Sequence, residues 1–306
     1  MAPSHDVIIV GGGTAGSTAA LYAARAGLRT LVLDKGVGHG ALARAHQVLD
    51  FPGVGDKITG EALVKRLRWQ AREFGADFRE LEVTSTALAA SGRILFGNDG
   101  KKFEARCVVL ASGCGAPAHL LPGEAEYFGK GVAYSVPRDG ALARKTSVAV
   151  FGKTAEAAQA ALTLAKIAET VAFIIPTNKL DIPEPLQERL KAESHIHCHL
   201  SASLKELRGG QGALTEIVLL SAGQEKVLPV RTVYLYHHTP HSETTYLTGT
   251  VDLGAHANVL VNDTMETSIP GVFACGDILC GVPQLPVIAA AQGTVAALGA
   301  ERFLRA

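Results

Sequence analysis

Residues 6–36, DVIIVGGGTAGSTAALYAARAGLRTLVLDKG, begin with an unbroken apolar run, stop at a cluster of glycines, pass through a stretch of small residues and end in a second apolar run. A short apolar run bounded by glycine reads as a strand buried on both faces, and the stretch between the two runs has the length of one helix. The pattern predicts a strand–helix–strand unit. It recurs at 147–175, SVAVFGKTAEAAQAALTLAKIAETVAFII, which predicts a second unit of the same kind. Two more buried strands are predicted. CVVLASG at 107–113 closes on Ser112 and Gly113, and IPGVFACGD at 269–277 closes on Gly276 and Asp277. Both endings fall at carboxyl ends of strands, where doubly wound α/β sheets bind their ligands.

The first turn carries chemistry. Gly11 permits the tight turn, Gly13 lets a diphosphate approach the helix N-terminus, and Gly16 lets helix and strand pack closely. Asp34 ends the second strand about 20 residues later, where an acid accepts hydrogen bonds from a ribose. Such a turn suits the ADP half of FAD or of NAD. Composition adds exclusions: with 29 basic and 29 acidic residues the formal net charge is zero, so no field of one sign attracts nucleic acid or an anionic membrane. MAPSHDVIIV has neither a basic leader nor a long apolar core, and no later segment has the length of a membrane helix, so a cytoplasmic location is expected. Five cysteines in a chain with no export signal point to a catalytic disulfide rather than a structural framework.

GGGTAG at 11–16, DFPGVGDKITG at 50–60, ASG at 111–113, GKGVAYSVPRDG at 129–140 and GVFACGD at 271–277 together resemble the low-molecular-weight thioredoxin reductases, over nearly the whole chain. That resemblance implies an α/β fold with two dinucleotide-binding, Rossmann-like domains. Residues 1–115 and 246–306 would form the FAD domain, and 116–245 an inserted NADPH-like domain. It implies FAD on Gly11, Gly13, Ala15 and Gly16, with the backbone near Val83 beside the adenine. Ser112, Gly113, Gly276 and Asp277 would line the rest of the cofactor. The helix containing VIAAAQGTVAAL, which begins near Val287, would aim its N-terminus at the flavin, where its dipole favours an anionic reduced ring. A homodimer is implied as well.

Two features depart from the family. In the inserted domain GKTAEAA keeps Gly152 but has Lys153 and Thr154 where further glycines belong. After the next strand, Ile175, Pro176 and Thr177 replace the basic cluster that clamps a 2′-phosphate. A Walker loop is excluded too, since the glycine it requires is Ser147. NADPH is therefore not expected. The family's Cys-x-x-Cys is also missing: Ser135 and Arg138 stand at those positions.

Cys275 and Cys280 take over as the expected redox pair. A strand end followed by a Gly-Pro loop can bring them to disulfide distance, and the nearby helix N-terminus and flavin favour a thiolate. Cys107 reads as core packing and Cys114 as a reserve candidate. His195, His197 and His199 alternate on one strand face but suggest no metal site. The combination of retained FAD motif, lost NADPH clamp and displaced cysteines resembles the diflavin-linked disulfide oxidoreductases of oxygenic photosynthetic prokaryotes. This implies a second FAD per chain, near Ser135–Arg138, with Tyr134 and His237 as its contacts. The expected activity is electron transfer between a thiol/disulfide substrate, a small molecule or a protein, and FAD. Two alternatives stay open: a one-FAD reductase fed by ferredoxin, and a non-catalytic flavin-binding sensor.

Overall fold

The structure is a computed structural model and describes residues 3–45, 47–48, 50–55, 58–114, 121–236, 243–247, 249–255, 257–279 and 284–306. The chain divides into two compact units, Met1–Ala116 with Pro240–Ala306, and Pro117–Thr239.

The first unit begins with β1 (His5–Val10), α1 (Thr14–Arg25), β2 (Thr30–Asp34), α2 (Gly60–Glu73), β3 (Asp77–Glu80), β4 (Val83–Ala89), β5 (Gly92–Gly97) and β6 (Lys102–Leu110). The second contains α3 (Glu124–Tyr127), β7 (Val132–Ala133), α4 (Val136–Asp139), β8 (Ser147–Gly152), α5 (Ala155–Leu164), β9 (Thr170–Ile175), α6 (Glu184–Ala192), β10 (Ile196–Leu200), β11 (Ala202–Gly210), β12 (Ala213–Ser221), β13 (Gln224–Pro229) and β14 (Thr232–Tyr236). The chain then returns to the first unit with β15 (Val272–Ala274) and α7 (Pro286–Arg305).

In the first unit the strand order is β3-β2-β1-β6-β5-β4, and β15 joins β6. The amino-terminal half of β6 pairs antiparallel with β5 and its carboxyl half pairs parallel with β15, which sets Cys275 and Gly276 beside the end of β6. Alternation along β1 sends Val7 and Ile9 to one core and Ile8 and Val10 to the other. α1 meets α7 through Ala19, Ala23, Ala296 and Ala300, all buried. Gly293 is the closest approach, since a Cβ there would overlap the carbonyl of Ala15. Without that glycine α7 could not lie this near the glycine turn.

In the second unit β10-β9-β8-β14-β7 form a parallel sheet. Val148 and Val150 of β8 face the alanine-rich α5, while Ala149 and Phe151 face the antiparallel sheet β11-β12-β13. Two tight hairpins build that smaller sheet. Gln211-Gly212 and Ala222-Gly223 have φ of 53° and 77°, and of 50° and 78°, the left-handed pairs that match strand twist. No helix among the described residues is long and apolar enough to cross a membrane.

Candidate functional site

The glycine turn of the first unit is built around two close approaches and one opening. Gly11 has φ +99°, donates its N–H to Leu33 O at 2.8 Å, and has no room for a Cβ against the Ala111 carbonyl. Gly16 presses on the carbonyl of Gly11 in the same way. Gly13, the residue capping α1, is different: a Cβ there would meet nothing within 4 Å. No side chain caps this helix and no acid stands in its first turn. The first N–H groups of α1 thus have no side-chain cap, and they lie at the positive end of the helix dipole, beside the room left at Gly13.

Asp34 sits beneath this turn. Its Oδ2 accepts the Gly12 N–H at 2.6 Å, its Oδ1 accepts the Gly36 N–H at 2.8 Å, and the Arg68 guanidinium donates to Oδ1. Three of roughly four lone-pair positions of the carboxylate are therefore taken by the protein, leaving about one for a ribose hydroxyl. Arg68 is absent from the sequence expectation. It lies on α2, only 7% exposed, and its signal was a charge on the stripe of Leu63, Val64 and Ala71 that α2 buries.

The carboxyl ends of β6 and β15 hold the other expected residues. Ser112 accepts from the Tyr246 hydroxyl at 3.0 Å and donates to Glu243 O at 2.8 Å, so its hydroxyl is part of the scaffold. Gly113 and Gly276 have φ of +77° and +81°. Gly276 donates its N–H to Gln292 Oε1 at 2.9 Å and packs against Ala15. Gln292 is a second residue missed by sequence reasoning, a lone amide in the apolar helix α7. Val83 is buried in the core of the unit. Val287 lies in the first turn of α7, which no side chain caps.

The cysteines part company here. Cys275 is fully buried among Ala15, Phe273 and Ala289, and burial pushes its thiol up to about 12. The expected thiolate is thus opposed by desolvation. Cys280 lies outside the described residues, as does His237. Cys114, the reserve candidate, is partly exposed. Its Sγ donates to the Asp277 carbonyl at 2.9 Å and accepts from Gln284 Nε2 at 3.5 Å. Cys107 is buried, with its thiol likewise raised to about 12.

A family model described as "Pyridine nucleotide-disulphide oxidoreductase" matches residues 5–293. A thioredoxin reductase of Aquifex aeolicus (strain VF5) is 36% identical over 302 residues, covering 98% of this chain and 93% of the relative. The chain belongs to this family, in its thioredoxin reductase branch. Among solved structures, the thioredoxin reductase from Giardia duodenalis is 28% identical, covers 99% of each chain and has a TM-score of 0.91. A thioredoxin reductase from Gloeobacter violaceus is 35% identical over 98% of this chain and 94% of its own, with a TM-score of 0.58. The protein is accordingly an oxidoreductase of the thioredoxin reductase type.

The cofactor expected at the first turn of this family is FAD, and the residues fit it: an uncapped helix start, an open face at Gly13 and one lone-pair position on Asp34. The equivalent turn of the second unit does not fit a dinucleotide as well. Thr154 caps α5 with its own hydroxyl, accepting the Ala157 N–H at 3.2 Å, and Glu156 stands in the first turn. Ile175 is buried, and Thr177 donates its hydroxyl to Lys179 O at 2.6 Å. Where the family's Cys-x-x-Cys would lie, Ser135 precedes the single turn of α4, and Asp139 donates its N–H to Ser135 O at 2.8 Å. Tyr134 gives its hydroxyl to the buried Glu124, and its ring lies 5.3 Å from that of Phe128. Among the described residues no cluster of His, Cys, Asp or Glu could hold a metal ion.

Proposed function

We propose that this protein is an FAD-dependent thiol/disulfide oxidoreductase that works without NADPH. The open, uncapped start of α1 at Gly13 carries the FAD assignment, because it offers unpaired donors and a positive dipole to a diphosphate. The self-capped start of α5 supports the absence of NADPH. There Thr154 takes a donor a diphosphate would need, and Glu156 repels its charge.

In this reading Cys275 and Cys280 form the redox pair. Exchange with a substrate dithiol leaves the substrate as a disulfide and the pair as two thiols, and FAD held at the first turn would supply the electron acceptor that reoxidises the pair. A second FAD, held near Tyr134, would supply a further acceptor. The Tyr134 ring suits a planar partner because Glu124 and Phe128 fix its orientation. The working form is a homodimer. One observation favours a second reading of the thiols: Cys114 is the partly exposed cysteine beside Asp277, whereas Cys275 is sealed in the core.

Two measurements test these readings. FAD released per polypeptide near two supports the second flavin, and a ratio near one removes it. Cys280→Ser should abolish dithiol oxidation while FAD stays bound, and Cys275→Ala should do the same if Cys275 is its partner. Full activity in Cys275→Ala together with loss in Cys114→Ser would transfer the role to Cys114. Bleaching of the flavin by NADPH in the wild type would overturn the claim that NADPH is not used.

A further inference from the structure

The Gly12–Gly13 peptide is held from one side only. The Gly12 carbonyl accepts from Arg68 Nε at 2.9 Å and from the buried Ser17 hydroxyl at 2.9 Å, which fills both of its lone pairs. In a planar trans peptide the N–H points opposite to the C=O. With the Gly12 oxygen drawn inward, the Gly13 N–H is turned the other way, at a residue that is partly exposed and leaves room for a Cβ.

The preceding peptide is fixed as well, because the Gly12 N–H ends on Asp34 and Asp34 is held by Arg68. Arg68 therefore closes a ring that runs from its guanidinium to Asp34, to Gly12 and back. It is 7% exposed, and a Cβ on Gly12 would meet its Nη2 at 2.9 Å, so the guanidinium has little freedom to leave the ring.

We infer that Arg68 is a positioning residue for a diphosphate at this turn, acting through the Gly12–Gly13 peptide rather than by touching the ligand. Its charge is balanced by Asp34, so it contributes direction rather than net attraction. Lysine keeps the charge but has a single nitrogen, which cannot serve both the Gly12 carbonyl and Asp34 in the geometry of a guanidinium fork. The inference rests on the reading that an ADP-containing cofactor occupies the turn.

The test uses full-length apoprotein, with ADP, adenosine and FAD as probes in calorimetric titrations, for the wild type, Arg68→Met and Arg68→Lys. Both variants should bind ADP and FAD about tenfold to a hundredfold more weakly, the range of one charged hydrogen bond. Adenosine, which lacks the diphosphate, should lose much less. A merely structural role would weaken ADP and adenosine alike, and that result overturns the inference. So does unchanged ADP affinity in both variants, or rescue by lysine. Arg68→Lys carries the test if Arg68→Met fails to fold. If the wild type binds ADP in this Arg68-dependent way but not FAD, the FAD assignment falls and the positioning role stands. If it binds neither, both fall.

Discussion

The two glycine turns of this molecule share a frame and differ in what the frame leaves open. Each joins a buried strand to a helix of small residues at the carboxyl end of parallel-paired strands. Gly11 in one and Gly152 in the other allow the strand to meet its neighbours, and a Cβ on Gly152 would come within 2.8 Å of Ala157 and Tyr236. Past that point they diverge. Gly13 leaves the start of α1 empty, while Thr154 fills the start of α5 with its own hydroxyl. Packing needs only the small residue at the strand end, whereas a diphosphate also needs free N–H groups and no competing anion. On the proposed reading, a dinucleotide fold loses the ligand at one turn and keeps its sheet.

The largest effect expected from breaking this comparison is at Gly11. Alanine there must adopt φ near +99° and overlap the Ala111 carbonyl. The strained backbone and the overlap together should cost more than about 3 kcal/mol and remove bound FAD. Gly152→Ala has side-chain crowding but no left-handed backbone, and should cost about 1–3 kcal/mol. Denaturant unfolding of the two variants compares them directly. Equal losses would mean that the first turn is no more constrained than the second.

An exchange of capping residues comes next. Gly13→Thr has room for its side chain, and φ −72° with ψ −161° suits a capping threonine. It should leave apoprotein stability within a few tenths of a kcal/mol. FAD affinity should fall by about tenfold or more, because the side chain enters the diphosphate's space. Thr154→Ala should destabilise the second unit by about 1 kcal/mol through loss of its cap, with no gain of NADPH affinity. Retention of full FAD affinity in Gly13→Thr would show that the open helix start is not where the diphosphate binds.

These turns were legible in the sequence because their determinants are local: an apolar run, a glycine or its absence, and a helix of small residues. The supporting residues were not. Arg68 reads as one more charge on an amphipathic helix, and only the return of α2 beneath the turn makes it a buried donor. Gln292 reaches Gly276 across 16 residues of sequence. Cys275 shows why burial is harder to read than strand position. The strand ending before Gly276 was visible, but its neighbours Ala15 and Ala289 come from distant segments, and the burial they provide pushes the thiol up.

The smallest effect lies at the opposite end of the same two units. β1 and β2 begin with a charged tie, in which Asp6 accepts from the Arg29 N–H and Nε at 3.0 Å each and from Nη2 at 2.9 Å. β8 and β9 begin with a neutral one, Thr170 Oγ1 donating to Ser147 Oγ at 3.0 Å. The Arg29 hydrogen bonds lower the Asp6 carboxyl from 3.8 to about 2. A carboxyl whose folded value lies below its unfolded one stabilises the fold above the unfolded value, and that contribution is lost as pH falls through the folded one. Asp6→Asn should therefore cost stability above pH 4 and converge with the wild type as pH falls towards about 2. Arg29 is well exposed, so the difference should be at most about 1 kcal/mol. Thr170→Val removes the neutral tie and has no charge to titrate, so its cost should be the same across that range. Unfolding curves of both variants over the acid range separate the two cases, and a pH-independent loss in Asp6→Asn would show that Asp6 acts there as a hydrogen-bonding group and not as a charge.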